Sequence, residues 1–418
     1  MLTVKPFKAI RPKPEYAEKI AALPYDVMNA EEAREMVKNN PISFLHTDKA
    51  EIDLPPDIDP HCAEVYETAK KNLELLINEA YLIQDDAPCF YIYRLTMNGV
   101  AQTGVVACPS VDDYIEERIK KHELTRADKE ADRIRHVDTL NANTGPIFLA
   151  YRVNDEIEAI KNEVIAHNEP IYNFTSDGNI LNEAWIIDDN DKIQAIRDLF
   201  IAMDALYIAD GHHRCASAIK VAQMRRNQFP NYTGEEEFNC FLAVLFPSDQ
   251  LRIFDYNRAV KDLNGHSVDE ILALIAEKFD VEKADAPVNP DALHTFGMYL
   301  DGTWYKLTAH KNIYPTTCDS KEDVVDALDV AILQRELLSP ILGIEDPRTD
   351  ARIDFIGGIR GLSELEKRAN SDMKISFSLY PTSMEELMAV ADAGLIMPPK
   401  STWFEPKLMS GLFIHSLE

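Results

Sequence analysis

Apolar residues recur along this chain at two spacings, and the change from one to the other marks out its elements. Val65, Tyr66, Ala69, Leu73, Leu76 and Ile77 fall three and four residues apart, the repeat of one helix face. EEAREMVKNN, just upstream, reads as another helix with acidic residues suited to its first turn. TVKPFKAI near the start reads as a short strand. CFYIYRLTM and AQTGVVACPS flank Asn98-Gly99, and GMYLDGTWYKLTA turns at Asp301-Gly302, so both stretches predict hairpins. IFLAYRV predicts a buried strand, and residues 183–222 predict strand, helix, strand, tight turn, helix. EEFNCFLAVLFPS and LRIFDYNRAV add two strands, and SVDEILALIAEKFDVEKA predicts a helix running into a strand. Residues 112–142 predict a long charged segment, mostly helical, and DALDVAILQRELLSPILGI predicts one helix. Strands and helices mix without strict alternation, so the fold class is α+β, or mixed α/β. The acidic, proline-containing loop at 51–61 and KADAPVNPDA at 283–292 are the boundary candidates.

Charge narrows the function classes. The 43 Lys and Arg residues are outnumbered by 71 Asp and Glu, a net charge of −28. Nucleic-acid affinity comes largely from cations that displace counterions, so this balance opposes a nucleic-acid partner. A nucleotide site needs its own concentrated donors or a metal. No apolar run reaches the ~18–20 residues of a membrane span, and the first residues lack a signal-peptide core. Cysteines 62, 89, 108, 215, 240 and 318 form no CxxC pair, so the expectation is a soluble protein in the reducing cytoplasm.

The sharpest local feature is YIADGHHRCASAI, 207–219. An apolar strand ends at Ala209; Asp210, Gly211, His212, His213 and Arg214 follow, and a helix opens. N–H groups at a helix start, together with the helix dipole, favour an anion. Arg214 adds a fork that fits phosphate, and the histidines offer donors or a base near neutral pH. The bland alternative is a turn capped by Asp210 with solvent-exposed histidines. Adjacent histidines with no partner four residues on make a poor zinc site, so no metal ligands are assigned; Mg²⁺ arriving with a nucleotide fits better.

IKKHELTRADKEADR, 119–133, is the second cluster. His122 and Glu123 precede a helix, Thr125 is a candidate N-cap, and Lys129 and Arg133 share a helical face. A carboxylate beside two cations suits phosphoryl transfer; a solvated charged helix is the alternative. PPKSTWFEPK, 398–407, offers Lys400 and the Trp403 wall, either for a site or as an aromatic anchor of the segment. In LPYDVMN, 23–29, Tyr25 and Asp26 sit on a turn, with Asp26 a cap for the next helix.

DGHHRCASA at 210–218 resembles the Gly-x-His-Arg box of the ParB/sulfiredoxin superfamily, which forms a nucleotide-phosphate site at a helix N-terminus. PYDV at 24–27, KKHELT with Lys129 and Asp132-Arg133, YIADGHHR, and MPPKSTWFEPK with SGLFIH are similar to the bacterial family labelled domain of unknown function 1015. The DGHHR box also resembles that of the free L-serine kinases, which make O-phosphoserine from serine and ADP or ATP. His212 stands where sulfiredoxin has its catalytic cysteine, which disfavours sulfiredoxin chemistry.

The resemblance implies an N-terminal α+β region at 1–110, a ParB/sulfiredoxin-like core at 111–282 and a C-terminal α+β region at 283–418. It implies a small-molecule kinase using ATP or ADP with Mg²⁺, and free L-serine as the leading acceptor. Gly211, His212, His213 and Arg214 would hold the phosphates. Glu123 would take the hydroxyl proton, with Asp210 and His213 as further catalytic candidates. His122, Thr125, Lys129, Arg133, Lys400 and Trp403 would bind the substrate. The partners expected are the nucleotide and the small molecule, without nucleic acid or membrane; a homodimer stays open. The alternative is a nucleotide-binding or nucleotide-hydrolysing regulatory switch of ParB type, which needs the phosphate cradle but no acceptor pocket.

Overall fold

The computed structural model describes residues 1–317 and 320–418. Cys318 lies outside the described residues, and the other five cysteines carry free thiols. Helices and strands form a mixed α+β protein of two compact units. The first unit holds residues 1–120, 124–251 and 406–418; the second holds 121–123 and 252–405.

The first unit is built on a sheet whose strands run, side by side, Ile119–Lys120, Leu206–Asp210, Ile147–Tyr151, Ala243–Pro247, Val100–Pro109, Phe90–Met97, Ile180–Ile187 and Tyr172–Ser176. Val4–Lys5 also pairs with Val100–Pro109. Leu149, Ile208 and Leu245, each on a different strand, pack with Ala218, Ile219 and Ala222 of the helix His212–Gln228 in one buried cluster. That helix also packs along the helix Ala127–Leu140, with Ser217 Oγ donating to the Glu130 carbonyl at 3.2 Å. Where Leu206–Asp210 pairs antiparallel with Ile147–Tyr151, the register shifts between Ile208 and Asp210. A shift of this kind re-aims the last side chain of a strand.

A second core in this unit joins Val65, Ala69, Leu73 and Leu76 of the helix Ala63–Asn78 to Phe44, Leu140 and Ile414. The helical spacing of those residues in the sequence is therefore the spacing of a buried face. Residues 406–418 return here. Ile414 exchanges hydrogen bonds with Ile10, Ser410 with Ala22, and His415–Ser416 pairs with Ala142–Asn143. Gly411 has φ +80° and lies against the Phe44 ring, where no Cβ fits.

The second unit is a six-stranded antiparallel sheet in the order Phe279–Ala284, Thr303–Ala309, Thr295–Leu300, Ile375–Leu379, Tyr256–Val260, Ile353–Gly357. Its short outlying pair joins Ile253–Phe254 to Trp403–Phe404. Among the described residues, no helix is long and apolar enough to cross a membrane.

Both predicted hairpins are present, turning at Asn98-Gly99 and Asp301-Gly302. Residues 112–142, read as mostly helical, hold two helices separated by a turn and a short strand. A short helix, Val111–Ile115, stops where Glu117 takes φ +59° and the Arg118 N–H turns back to the Asp113 carbonyl. The strand Ile119–Lys120 and a turn intervene before Ala127–Leu140. The helix predicted over 326–344 is shorter, running over Asp329–Leu333 and passing directly into a wider π turn, Gln334–Leu338. Asp329 accepts the His294 N–H and so belongs to a tertiary contact that periodicity does not reveal.

Gly411 offers a test of how the returning segment is seated. An alanine there combines left-handed backbone strain with an overpacked core. Gly411→Ala is expected to cost about 2–4 kcal/mol, read as a lower urea midpoint at unchanged slope.

Candidate functional site

The DGHHR box sits at the junction of strand Leu206–Asp210 and helix His212–Gln228. Gly211 makes the turn with φ +89°, a conformation that strains any residue bearing a Cβ. It is the N-cap, it supplies no side chain to cap the helix, and the first turn carries no acid. The carboxylate nearest the positive end of the helix dipole therefore comes from before the helix, from Asp210. Asp210, offered by the sequence as the cap, accepts the Gly211 N–H at 2.7 Å and pairs through its other oxygen with Lys407 Nζ at 2.8 Å. Burial would raise the Asp210 pKa, but Lys407 and Arg214 outweigh it and hold the carboxyl well below the usual carboxylate range. Asp210 is thus a fixed anion.

His212 is buried and His213 half-buried. The Arg126 N–H donates to His213 Nε2 at 3.0 Å, which requires a lone pair there and ties the ring to the start of helix Ala127–Leu140. Arg214 Nη1 donates to the Pro146 carbonyl at 2.6 Å. The backbone of Gly145 also lies against it: a Cβ at Gly145 would come 3.4 Å from Arg214 Nη1.

Arg214 lines a cavity of about 30 Å³ together with Arg133, Tyr25, Asp48, Thr144 and Gly145. That is room for one or two water-sized groups, the scale of a small-molecule head group. Arg133 is buried, so its charge is held by specific partners. Its Nε and Nη2 both reach Asp132 Oδ2 at 2.8 Å, and its guanidinium lies 4.0 Å from the Tyr25 ring centroid. Asp132 is held in turn through Oδ1 by the Tyr66 hydroxyl at 2.8 Å and His61 Nδ1 at 3.2 Å. Burial pulls the Asp132 pKa up; the Arg133 charge and these hydrogen bonds more than reverse it. Burial lifts the Tyr25 phenol to about 12, against the pull of Arg133, so the ring stays protonated at neutral pH. Burial and the adjacent Arg133 charge bring His136 down to about 4 and keep it neutral.

The predicted residues divide between the units. Gly211, His212, His213, Arg214, Asp210, Thr125, Lys129 and Arg133 belong to the first; His122, Glu123, Lys400 and Trp403 belong to the second. In the first unit, Arg133 and Arg214 meet at the cavity, while Lys129, one helical turn before Arg133, is exposed. Thr125 is not the N-cap; Arg126 holds that position, and Thr125 Oγ1 donates to Glu130 Oε2 at 2.9 Å. Asp26 does not cap the following helix either, because Asn29 does so with Glu32 in a reciprocal capping box. In the second unit, His122 Nε2 lies 3.3 Å from Thr402 Oγ1, and its carbonyl accepts the Met397 N–H. Lys400 is exposed, has φ +59°, and holds Nζ 5.5 Å from the Tyr256 ring centroid. Trp403 packs edge-on against that ring at 5.0 Å.

Sequence reasoning assigned no role to Asp48, Lys407, Thr144 or Gly145. Asp48 lies among other acids and Lys407 at the end of a motif, and no local spacing ties either one to residue 210 or 133.

A glycine-centred strand-to-helix turn beside a small cavity lined by two arginines defines the class: a mixed α+β protein with a cationic cavity in its first unit. The chain belongs to the family described as Protein of unknown function (DUF1015), whose model matches residues 4–331. It is similar in structure to a free serine kinase in complex with AMP, at 15% identity and TM-score 0.35, covering 74% of this chain and 91% of that one. It is also similar to a conserved hypothetical protein from Pyrococcus furiosus (13%, TM-score 0.33, 74% and 94%) and to a C-terminally truncated SbnI from Staphylococcus aureus (13%, TM-score 0.35, 73% and 85%). No curated protein matches the chain.

The Asp210–Lys407 pair makes a pH-dependent prediction. With its pKa depressed in the fold, Asp210 adds stability while the pH exceeds the ordinary carboxylate value of ~3.9, and loses it as pH falls through the folded value. The Asp210 side chain is 31% exposed, so Lys407→Met is expected to cost about 1–2 kcal/mol at pH 7. In urea titrations, the gap between the two proteins should narrow as pH drops from 5 towards 2.

Proposed function

We propose that this protein is a phosphotransferase that moves a phosphoryl group from ATP or ADP to the hydroxyl of a small free metabolite, with L-serine the leading acceptor. In this reading the DGHHR turn belongs to a nucleotide-binding core of ParB/sulfiredoxin type. The observation that carries it is the meeting of Arg214, from the box, with Arg133, from a separate helix, at one small cavity. Two buried-side guanidiniums around a head-group-sized space suit a ligand with a concentrated negative charge.

Gly211, His212, His213 and Arg214 hold the nucleotide phosphates, and the helix dipole adds to their pull. Arg133 takes the acceptor carboxylate or the transferred phosphoryl group. Glu123 accepts the proton of the attacking hydroxyl as the oxygen bonds to phosphorus and the nucleotide leaves with one phosphate fewer. Asp210, already ionised and tied to the Gly211 N–H and to Lys407, positions the turn. Mg²⁺, arriving with the nucleotide, would neutralise phosphate charge. His213 anchors the turn to helix Ala127–Leu140 through the Arg126 N–H. Lys129, His122, Thr125, Lys400 and Trp403 are the further candidates for acceptor binding. The free thiols of the described cysteines suit the cytoplasm.

The test is O-phosphoserine formation, followed by mass spectrometry with Mg²⁺, L-serine and ATP or ADP in parallel, beside a panel of other hydroxylated metabolites. Arg214→Ala is expected to lower turnover roughly 10²–10³-fold in a folded protein, and Glu123→Gln about 10²–10⁴-fold. Activity at the wild-type level in folded Arg214→Ala would sink the site assignment. Nucleotide binding without transfer to any acceptor would favour a regulatory switch.

A further inference from the structure

We propose that Asp48 receives an ammonium group of the phosphoryl acceptor, so that the cavity selects amino acids over the corresponding hydroxy acids. The inference rests on the phosphotransferase reading and assigns a residue to its substrate choice.

The cavity holds one carboxylate, Asp48, opposite two guanidiniums. Asp48 ends the short helix Leu45–Asp48 and is only 5% exposed. A carboxylate so far out of water is costly unless its oxygens are satisfied. One of them is: Thr144 Oγ1 donates to Oδ1 at 2.9 Å. The ion-pair partner of Asp48 among the described residues is His136 Nε2, 3.9 Å from that same oxygen. The His136 ring is neutral and also contacts the Thr47 carbonyl at 3.2 Å, so it brings no full charge. Arg133 is hydrogen-bonded to Asp132 at 2.8 Å, and its charge reaches Asp48 without donating a hydrogen bond to it. Asp48 Oδ2 accepts no hydrogen bond from the described residues.

The lining therefore offers two cationic forks and one half-satisfied anion within a space of one or two small groups. That is the complement of a zwitterionic head: carboxylate to guanidinium, ammonium to Asp48. A hydroxy acid would leave Asp48 Oδ2 unsatisfied, and a site built for a polar group rejects the analogue that lacks it.

L-Serine and 3-hydroxypropionate differ only in the ammonium group, so they are the probes. With the full chain, Mg²⁺ and the active nucleotide, wild type is expected to prefer serine about 10- to 100-fold in kcat/KM. Asp48→Asn, checked for folding by thermal denaturation, is expected to lower that ratio about tenfold or more. A wild-type ratio near one overturns the proposal whether or not the variant folds; so does an unchanged ratio in folded Asp48→Asn. If neither acceptor is phosphorylated, serine fails as the acceptor, and calorimetric titration with the same two compounds decides the subsite. Binding of serine but not 3-hydroxypropionate supports it; equal binding, or none, overturns it.

Discussion

A guanidinium removed from water must be given partners, and much of the site in the first unit follows from how Arg133 meets that demand. Asp132 takes two of its N–H groups, and the Tyr25 ring covers the face of the guanidinium. Asp132 then requires its own donors, which Tyr66 and His61 supply from the helix Ala63–Asn78 and the loop before it. The Arg133 charge in turn lowers the affinity of His136 for a proton. One buried cation thus holds Asp132 ionised, adds to burial in keeping His136 neutral, and brings three separate stretches of chain to one place.

Arg214 arrives from the opposite direction. Its position depends on a left-handed glycine, on a register shift at the end of its strand, and on the Pro146 carbonyl. The two arginines share no sequence motif. Their convergence depends on the packing of helix Ala127–Leu140 along helix His212–Gln228, which Ser217 links through the Glu130 carbonyl.

What could be read from the sequence was what is local. The DGHHR turn announces itself because a strand pattern, a glycine and a helix pattern are adjacent, and both Gly-containing hairpins were legible for the same reason. The helix Ala63–Asn78 was legible because its buried face repeats at helical spacing. Residues 112–142 were legible as mostly helical, with a helix opening just past Thr125, whereas the left-handed Glu117 that ends the first helix was not. Thr125 and Asp26 look like caps, yet Arg126 and Asn29 occupy those positions, one residue on in the first case and three in the second. Asp48 was illegible because burial, and not residue type or spacing, distinguishes it from the surface acids around it. Lys407 belonged to a quoted motif, but its partner lies 197 positions away.

That separation has a consequence for how the molecule comes into being. The first unit is discontinuous: residues 252–405 of the second unit are inserted before its last segment, 406–418. A nascent chain must therefore wait with Asp210 unpaired and the edge at Ala142–Asn143 bare until the whole insertion has been synthesised. The strand-to-helix turn at Gly211 is made early and receives its lysine only after the inserted residues have been synthesised.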